Sequence, residues 1–219
     1  MDMNKQFTAQ TWPDHPEQAT LEGKNKFVGF WIFLACEVVL FASLFATYLA
    51  LKNRGPASMG EEFTTQNLFE LPLVFVMTMV LLTSSLTSVY AMYHMKNHNF
   101  KGTQTWMGIT VILGAVFLAL EMHEFNHYVH LGFNYTHSAF SSAFYTLVGT
   151  HGAHVLLGLC WISSLIIRNS KRGLNLYNAP KYYVAALYWH FIDVVWVFIF
   201  TVVYLMAIED FGASVAPLC

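Results

Sequence analysis

The chain has 219 residues, 56% of them hydrophobic and 11% charged, with a formal net charge of −2. Roughly a quarter of an ordinary soluble domain is charged, so this composition excludes a soluble globular domain and points to an integral membrane protein. So small a net charge gives no basic surface for nucleic acid.

Residues 1–26 are polar and hold Asp14, Glu17, Glu22, Pro13 and Pro16. No short apolar core follows a basic start there, so a signal peptide is not expected. The segment reads as a polar tail that enters the first helix through Lys24 and Lys26. Five apolar spans follow, at about 27–51, 71–95, 106–125, 143–167 and 183–208. Each is long enough to cross a bilayer, which takes about 20 apolar residues. Pro72 sits in the first turn of the second span, where a proline is tolerated. The connections, 52–70, 96–105, 126–142 and 168–182, are too short for a second domain. The fold class is therefore an all-α integral membrane protein, a bundle of five transmembrane helices over 27–208, with a short tail at 209–219.

Orientation follows from the basic residues. Nine of the eleven (Lys5, Lys24, Lys26, Lys96, Lys101, Arg168, Lys171, Arg172 and Lys181) share one side; Lys52 and Arg54 lie on the other. The nine-residue side is expected to be cytoplasmic, with the N-terminus in and the C-terminus out. Glu61, Glu62, Glu70, Glu209 and Asp210 then fall outside. Trp31, Trp106, Tyr128, Tyr182 and Tyr204 lie near span ends, as headgroup anchors do. Cys36, Cys160 and Cys219 have neither metal-ligand nor redox spacing.

The informative residues are the ionisable ones inside the apolar spans. Tyr188 to Trp196 reads Tyr-Trp-His-Phe-Ile-Asp-Val-Val-Trp, which puts His190 and Asp193 near the middle of the fifth span. Three residues apart, they share a helix face. A charged group at that depth costs roughly 2.5–3.5 kcal/mol on insertion scales, so it must face protein, water or a partner charge. At about 1.5 Å per residue, Glu37 lies roughly 15 Å from the inner end of its span, Asp193 about 15 Å, His154 about 13 Å and His190 about 10 Å. Four ionisable groups from three spans are thus expected in one layer. Glu121 and Glu124 lie towards the outer end of the third span beside His123, His127 and His130. That cluster is expected at the water boundary.

Two readings of these groups stand. In one they pair with each other and fix helix contacts, helped by Gly149, Gly152, Ala153 and Gly158, which let helices approach closely. In the other they bind metal or haem through Glu121, Glu124, His127, His151 and His154. A di-metal bundle wants Glu-x-x-His on each of two helices. Only Glu124 and His127 supply one. The helical period also keeps His151 and His154 from pointing squarely at one centre. No phosphate loop, nucleophile elbow or paired cysteine motif is present, and no matched broken spans mark a transporter.

The residues Gly149-Thr-His-Gly-Ala-His154 and Tyr188 to Trp196, with Glu37 in the first span and Glu124 in Glu-Met-His-Glu-Phe, resemble subunit III of the haem–copper terminal oxidases. The likeness runs from about residue 27 to 206. Three stretches narrow it: Leu21-Glu-Gly-Lys-Asn-Lys-Phe27, the run from Leu81 to His94, and Asn178-Ala-Pro-Lys-Tyr-Tyr-Val184. They are similar to subunit III of the caa3-type cytochrome c oxidases of bacilli. The five-span subunit of bacterial quinol oxidases is the alternative, and a stand-alone haem or metal protein a remote one. The seven-span mitochondrial form has two extra N-terminal spans, so any site built by them does not carry over.

The resemblance implies a bacterial plasma-membrane subunit of a proton-pumping, oxygen-reducing complex. It implies no catalytic, cofactor-binding or metal residue in this chain; haem and copper belong to partner subunits. It also implies packing on subunit I, with subunit II and a small subunit IV in the complex. Phospholipid would be held in a cleft, with proton uptake and turnover stability supported. Carried over by position, Glu37 is the carboxylate beside the lipid cleft and Arg168 the contact to a lipid phosphate. His154, His190, Asp193 and Trp196 are the polar and aromatic frame of the cleft and its helix contacts. Glu124 and His151 belong to helix packing or the outer cluster.

Overall fold

The computed structural model describes residue 13 and residues 20–52, 71–130, 133, 135, 136, 138–170 and 177–206. Lys5, Arg54, Lys171, Arg172, the outer acidic residues Glu61, Glu62, Glu70, Glu209 and Asp210, and Cys219 lie outside the described residues. Among the described residues the structure is all helical, with five helices long and apolar enough to span a membrane. They are α1 (Leu21–Leu51), α2 (Leu71–Lys96), α3 (Phe100–His130), α4 (Ala139–Asn169) and α5 (Ala179–Ile199), the last continuing as a π-helical segment, Phe200–Leu205.

The helices outrun their apolar spans, because apolar length measures the hydrocarbon and the local caps decide where the helix ends. The Thr20 hydroxyl accepts from Gly23 N at 3.0 Å and starts α1 within the polar tail. Ser138 and Ser141 form a reciprocal capping box at the head of α4. Pro180 sits in the first turn of α5, where its missing N–H costs nothing. Between α2 and α3 only Asn97, His98 and Asn99 are non-helical, so most of the expected connection at 96–105 is helix. His98 turns the chain with φ 54°, and the Asn99 side chain caps α3 by accepting from Gly102 N at 3.2 Å.

Helix ends pair off in a way that fixes the threading. Lys26 and Lys181 both lie over the Tyr177 ring, at 4.9 and 3.8 Å from its centre, which joins the starts of α1 and α5. Lys181 holds the Tyr177 phenol below the usual tyrosine range, first by a hydrogen bond and then by its charge. Gln104 donates to Ile166 O at 3.2 Å, joining the start of α3 to the end of α4. Lys52 donates to Met206 O at 3.5 Å, joining the far ends of α1 and α5.

α5 is the centre. α1, α4 and α2 pack on it, and α4–α3 and α3–α2 close the arc around it. Half of its most apolar window is buried, against 11% for α1. Burial of apolar surface does not drive helices together inside lipid, so close packing and hydrogen bonds must. Small residues make the close packing possible. A Cβ on Gly114 of α3 would lie 2.5 Å from the Trp189 ring, and one on Gly158 of α4 would lie 3.1 Å from Tyr188. Among the described residues α1 and α2 make no extended contact with one another.

Candidate functional site

Groups of buried and half-buried polar side chains join the helices, and the sequence-derived residues fall in three of them. The first joins α1 to α4. Glu37 Oε2 and His154 Nε2 are 3.1 Å apart, with their side chains 13% and 15% exposed. His154 Nδ1 lies 2.7 Å from Thr150 O. A carbonyl can only accept, so Nδ1 carries a hydrogen and the Nε2 bond needs one more proton. That proton sits on Nε2 or on the carboxyl, and the pair is net neutral either way. The Phe41 ring packs on the imidazole at 5.2 Å, and Tyr188 donates to His154 O at 3.2 Å.

The second joins α5 to α2. Trp189 Nε1 donates to Ser84 Oγ at 3.0 Å, Trp196 Nε1 donates to Thr78 Oγ1 at 3.1 Å, and Ser85 Oγ lies 2.6 Å from His190 Nδ1. The indoles are a heptad apart, so one face of α5 carries both. Asp193, 8% exposed, interacts with Ser85 through its carboxyl, and its Oδ1 has no hydrogen bond.

The third lies towards the end of α3. Glu124, 1% exposed, accepts from Tyr128 at 2.5 Å and from Tyr204 of the π-helical segment at 3.3 Å. Glu121, 2% exposed, lies so close to α4 that a Cβ on Gly152 would sit 2.6 Å from its Oε2. Next to Gly152, His151 is fully buried, with Nε2 3.3 Å from Ile192 O and its ring against Phe117 and Trp196.

These positions sort the sequence-derived residues. Glu37 and His154 meet. His190 and Asp193 both turn to Ser85, so the four groups expected at one depth divide sideways into two pairs. Depth along a helix gives height; it does not give direction around the axis. Trp196 is fully buried, with its indole bonded to Thr78. Arg168 is exposed in the last turn of α4. The Glu121–His130 cluster divides by direction. Its two carboxyls turn inward, while His123 and His130 face out. Among the described residues no three His, Cys, Asp or Glu side chains converge as metal ligands. Sequence reasoning passed over Thr78, Ser84 and Ser85, although hydroxyls recurring with helical spacing along an apolar span were the available signal.

The family model described as "Cytochrome c oxidase subunit III" matches residues 8–208. The chain belongs to that family. Relatives named "Cytochrome c oxidase subunit 3" include those of Bacillus subtilis (strain 168), 68% identical over 207 residues, and Bacillus sp. (strain PS3), 68% identical over 210. In both, 94% of this chain and 98% of the relative are covered. A "Probable quinol oxidase subunit 3" from Staphylococcus saprophyticus is 50% identical over 196 residues, covering 90% of this chain and 96% of its own. Subunit III is a non-catalytic member of an oxidoreductase complex, so this chain works in association with other oxidase subunits. With five spans, it is a multi-pass protein of the bacterial plasma membrane.

Proposed function

We propose that this subunit III serves a cytochrome c oxidase, with haem and copper in partner subunits, and that it holds phospholipid beside α1 and α4 to sustain proton uptake and turnover. It packs on subunit I, alongside subunit II and a small subunit IV, with its N-terminus in the cytoplasm. The observation that carries the lipid role is the Glu37–His154 pair, which is partly exposed yet satisfied within the chain. A self-satisfied pair can face acyl chains without demanding water. Arg168, exposed at the end of the same helix, takes the lipid phosphate, because a guanidinium can make paired bonds to phosphate oxygens. Identity of 68% to relatives named for cytochrome c, against 50% to one named for quinol, favours cytochrome c as donor.

The test is the Glu37→Ala complex. It should keep the haem spectrum of the wild-type complex while losing bound phospholipid or inactivating sooner during turnover. Loss of haem with normal assembly would refute the lipid role. Oxidation of reduced cytochrome c against quinol by the same preparation decides the donor.

A further inference from the structure

The carboxyl groups within the spans differ in what surrounds them. Glu37 has the His154 imidazole at 3.1 Å. Glu124 takes a phenol on each oxygen, Tyr128 on Oε1 and Tyr204 on Oε2. Asp193 has the Ser85 hydroxyl. Glu121 has no such donor. It is 2% exposed, no hydrogen bond reaches its Oε1, and its Oε2 abuts Gly152 of α4 so closely that a Cβ there would lie 2.6 Å away. The charge that acts on it is a like one, that of Glu124. Three residues apart on a helix, the two carboxyls are neighbours on one face.

No base turns this into an ion pair. On α4, His151 is fully buried, its Nε2 lies 3.3 Å from Ile192 O, and its Nδ1 has no partner. A carbonyl only accepts, so the hydrogen is on Nε2; a second proton on Nδ1 would be a buried charge with nothing to bond. Tyr145 of α4, Tyr128 of α3 and Tyr204 of the π-helical segment also turn to the pair, and their phenols bring no positive charge. His127 lies one turn beyond Glu124 on the side away from Glu121, and α2 has no titratable residue from Leu71 to Leu82.

A buried oxygen without a donor is costly for any polar group and far more so for an ion, which sheds its charge by taking a proton. Two carboxylates side by side on a buried face also repel, which favours a proton on one of them. The donors decide which one. Both oxygens of Glu124 accept phenol hydrogens, as an anion does, whereas no donor reaches Oε1 of Glu121. We infer that Glu121 is a proton-binding site of the folded chain, holding its proton as the neutral acid beside an ionised Glu124, and that this proton lets α3 lie against α4 at Gly152.

The experiment is infrared spectroscopy of the intact complex near neutral pH, comparing wild type with Glu121→Gln, which keeps the shape of the neutral acid. The wild-type-minus-variant spectrum should contain one carboxylic-acid C=O band, above the amide envelope, and no carboxylate stretches. In D2O that band should move down, as an acid does and a phospholipid ester does not. Carboxylate stretches in its place would overturn the assignment. Glu124→Gln should give the opposite difference, a loss of carboxylate stretches; loss of an acid band there would put the proton on Glu124 and overturn it equally. Gly152→Ala presses a Cβ on the carboxyl and should shift the acid band, and an unshifted band would refute the link between the proton and the α3–α4 contact. If Glu121→Gln fails to assemble, Glu121→Asp takes its place: the acid band should move while the carboxylate stretches stay, and the reverse would refute the bound proton.

Discussion

At the scale of single residues, Gly152 is the tightest constraint. Its missing side chain is what lets Glu121 lie against α4, where a Cβ would meet Oε2 at 2.6 Å and Oε1 at 2.9 Å. Glu121 is buried by the packing around it and has little freedom to swing away. Gly152→Ala should therefore cost about 1–3 kcal/mol, as overpacking does, and lower the thermal midpoint of the complex in detergent. An unchanged midpoint would mean that Glu121 does not occupy this place. The Gly149-Thr-His-Gly-Ala-His154 run held that information only in part. It showed where helices could approach, and it could not show that a carboxyl fills the gap.

The Glu37–His154 pair makes a finer distinction. Its geometry leaves Nε2 in need of a donor, or of a proton of its own. Glu37→Gln still offers an N–H to Nε2, whereas Glu37→Leu offers nothing. The Gln variant should keep near wild-type stability, while the Leu variant should lose about 1–3 kcal/mol by stranding the imidazole. Chemical denaturation of the two variants compares them directly. Equal loss in both would show that the bond is not formed.

At the scale of helices, α1 and α5 are opposites. α1 buries few side chains fully, among them Leu34, Phe41 and Tyr48, one per heptad, with Phe30 and Phe45 packed beside them. The polar pair with His154 adds a hydrogen bond to these apolar contacts. α5 is gripped on three sides and is bonded to α2 through Trp189, Trp196 and His190. Trp189→Phe keeps the ring and removes the donor, and Ser84→Ala removes the acceptor. Each should cost about 1 kcal/mol, the usual worth of such a bond in a membrane. The double variant should cost little more than either single one, because both delete the same bond. Additive losses would deny the bond. The five spans were legible because hydrocarbon thickness demands a run of apolar residues that composition shows directly. The helix ends were not, since they depend on caps such as Thr20 and Ser138. Which span lies at the centre was not legible either. All five are largely apolar, and a span that faces lipid reads much like one that faces protein.

At the scale of the molecule, the uneven spread of basic residues predicts a cytoplasmic N-terminus. Single cysteines placed at Lys24 or Lys181 should be shielded from an impermeant thiol reagent in intact cells and react after permeabilisation. One placed at Lys52 should react in both. The reverse pattern would invert the orientation. Packing supplies only the relative half of this result, by bringing the starts of α1 and α5 to one side and their far ends to the other. The oxidase role was legible from the histidine and Asp193 motifs in their order, because they are the polar exceptions in an apolar chain. How they pair was not, since three-residue spacing fixes a face without saying which neighbour lies there.

The central claim is that this chain serves an oxidase without carrying its redox centres. The most direct measurement is a reduced-minus-oxidised visible spectrum, with a metal assay, on tagged chain purified from native membranes in mild detergent and again after its partners are dissociated. Haem and copper should accompany the larger partners and leave with them. Haem or copper retained by the isolated chain would contradict the account and turn His151 and His154 into ligands to be replaced one at a time.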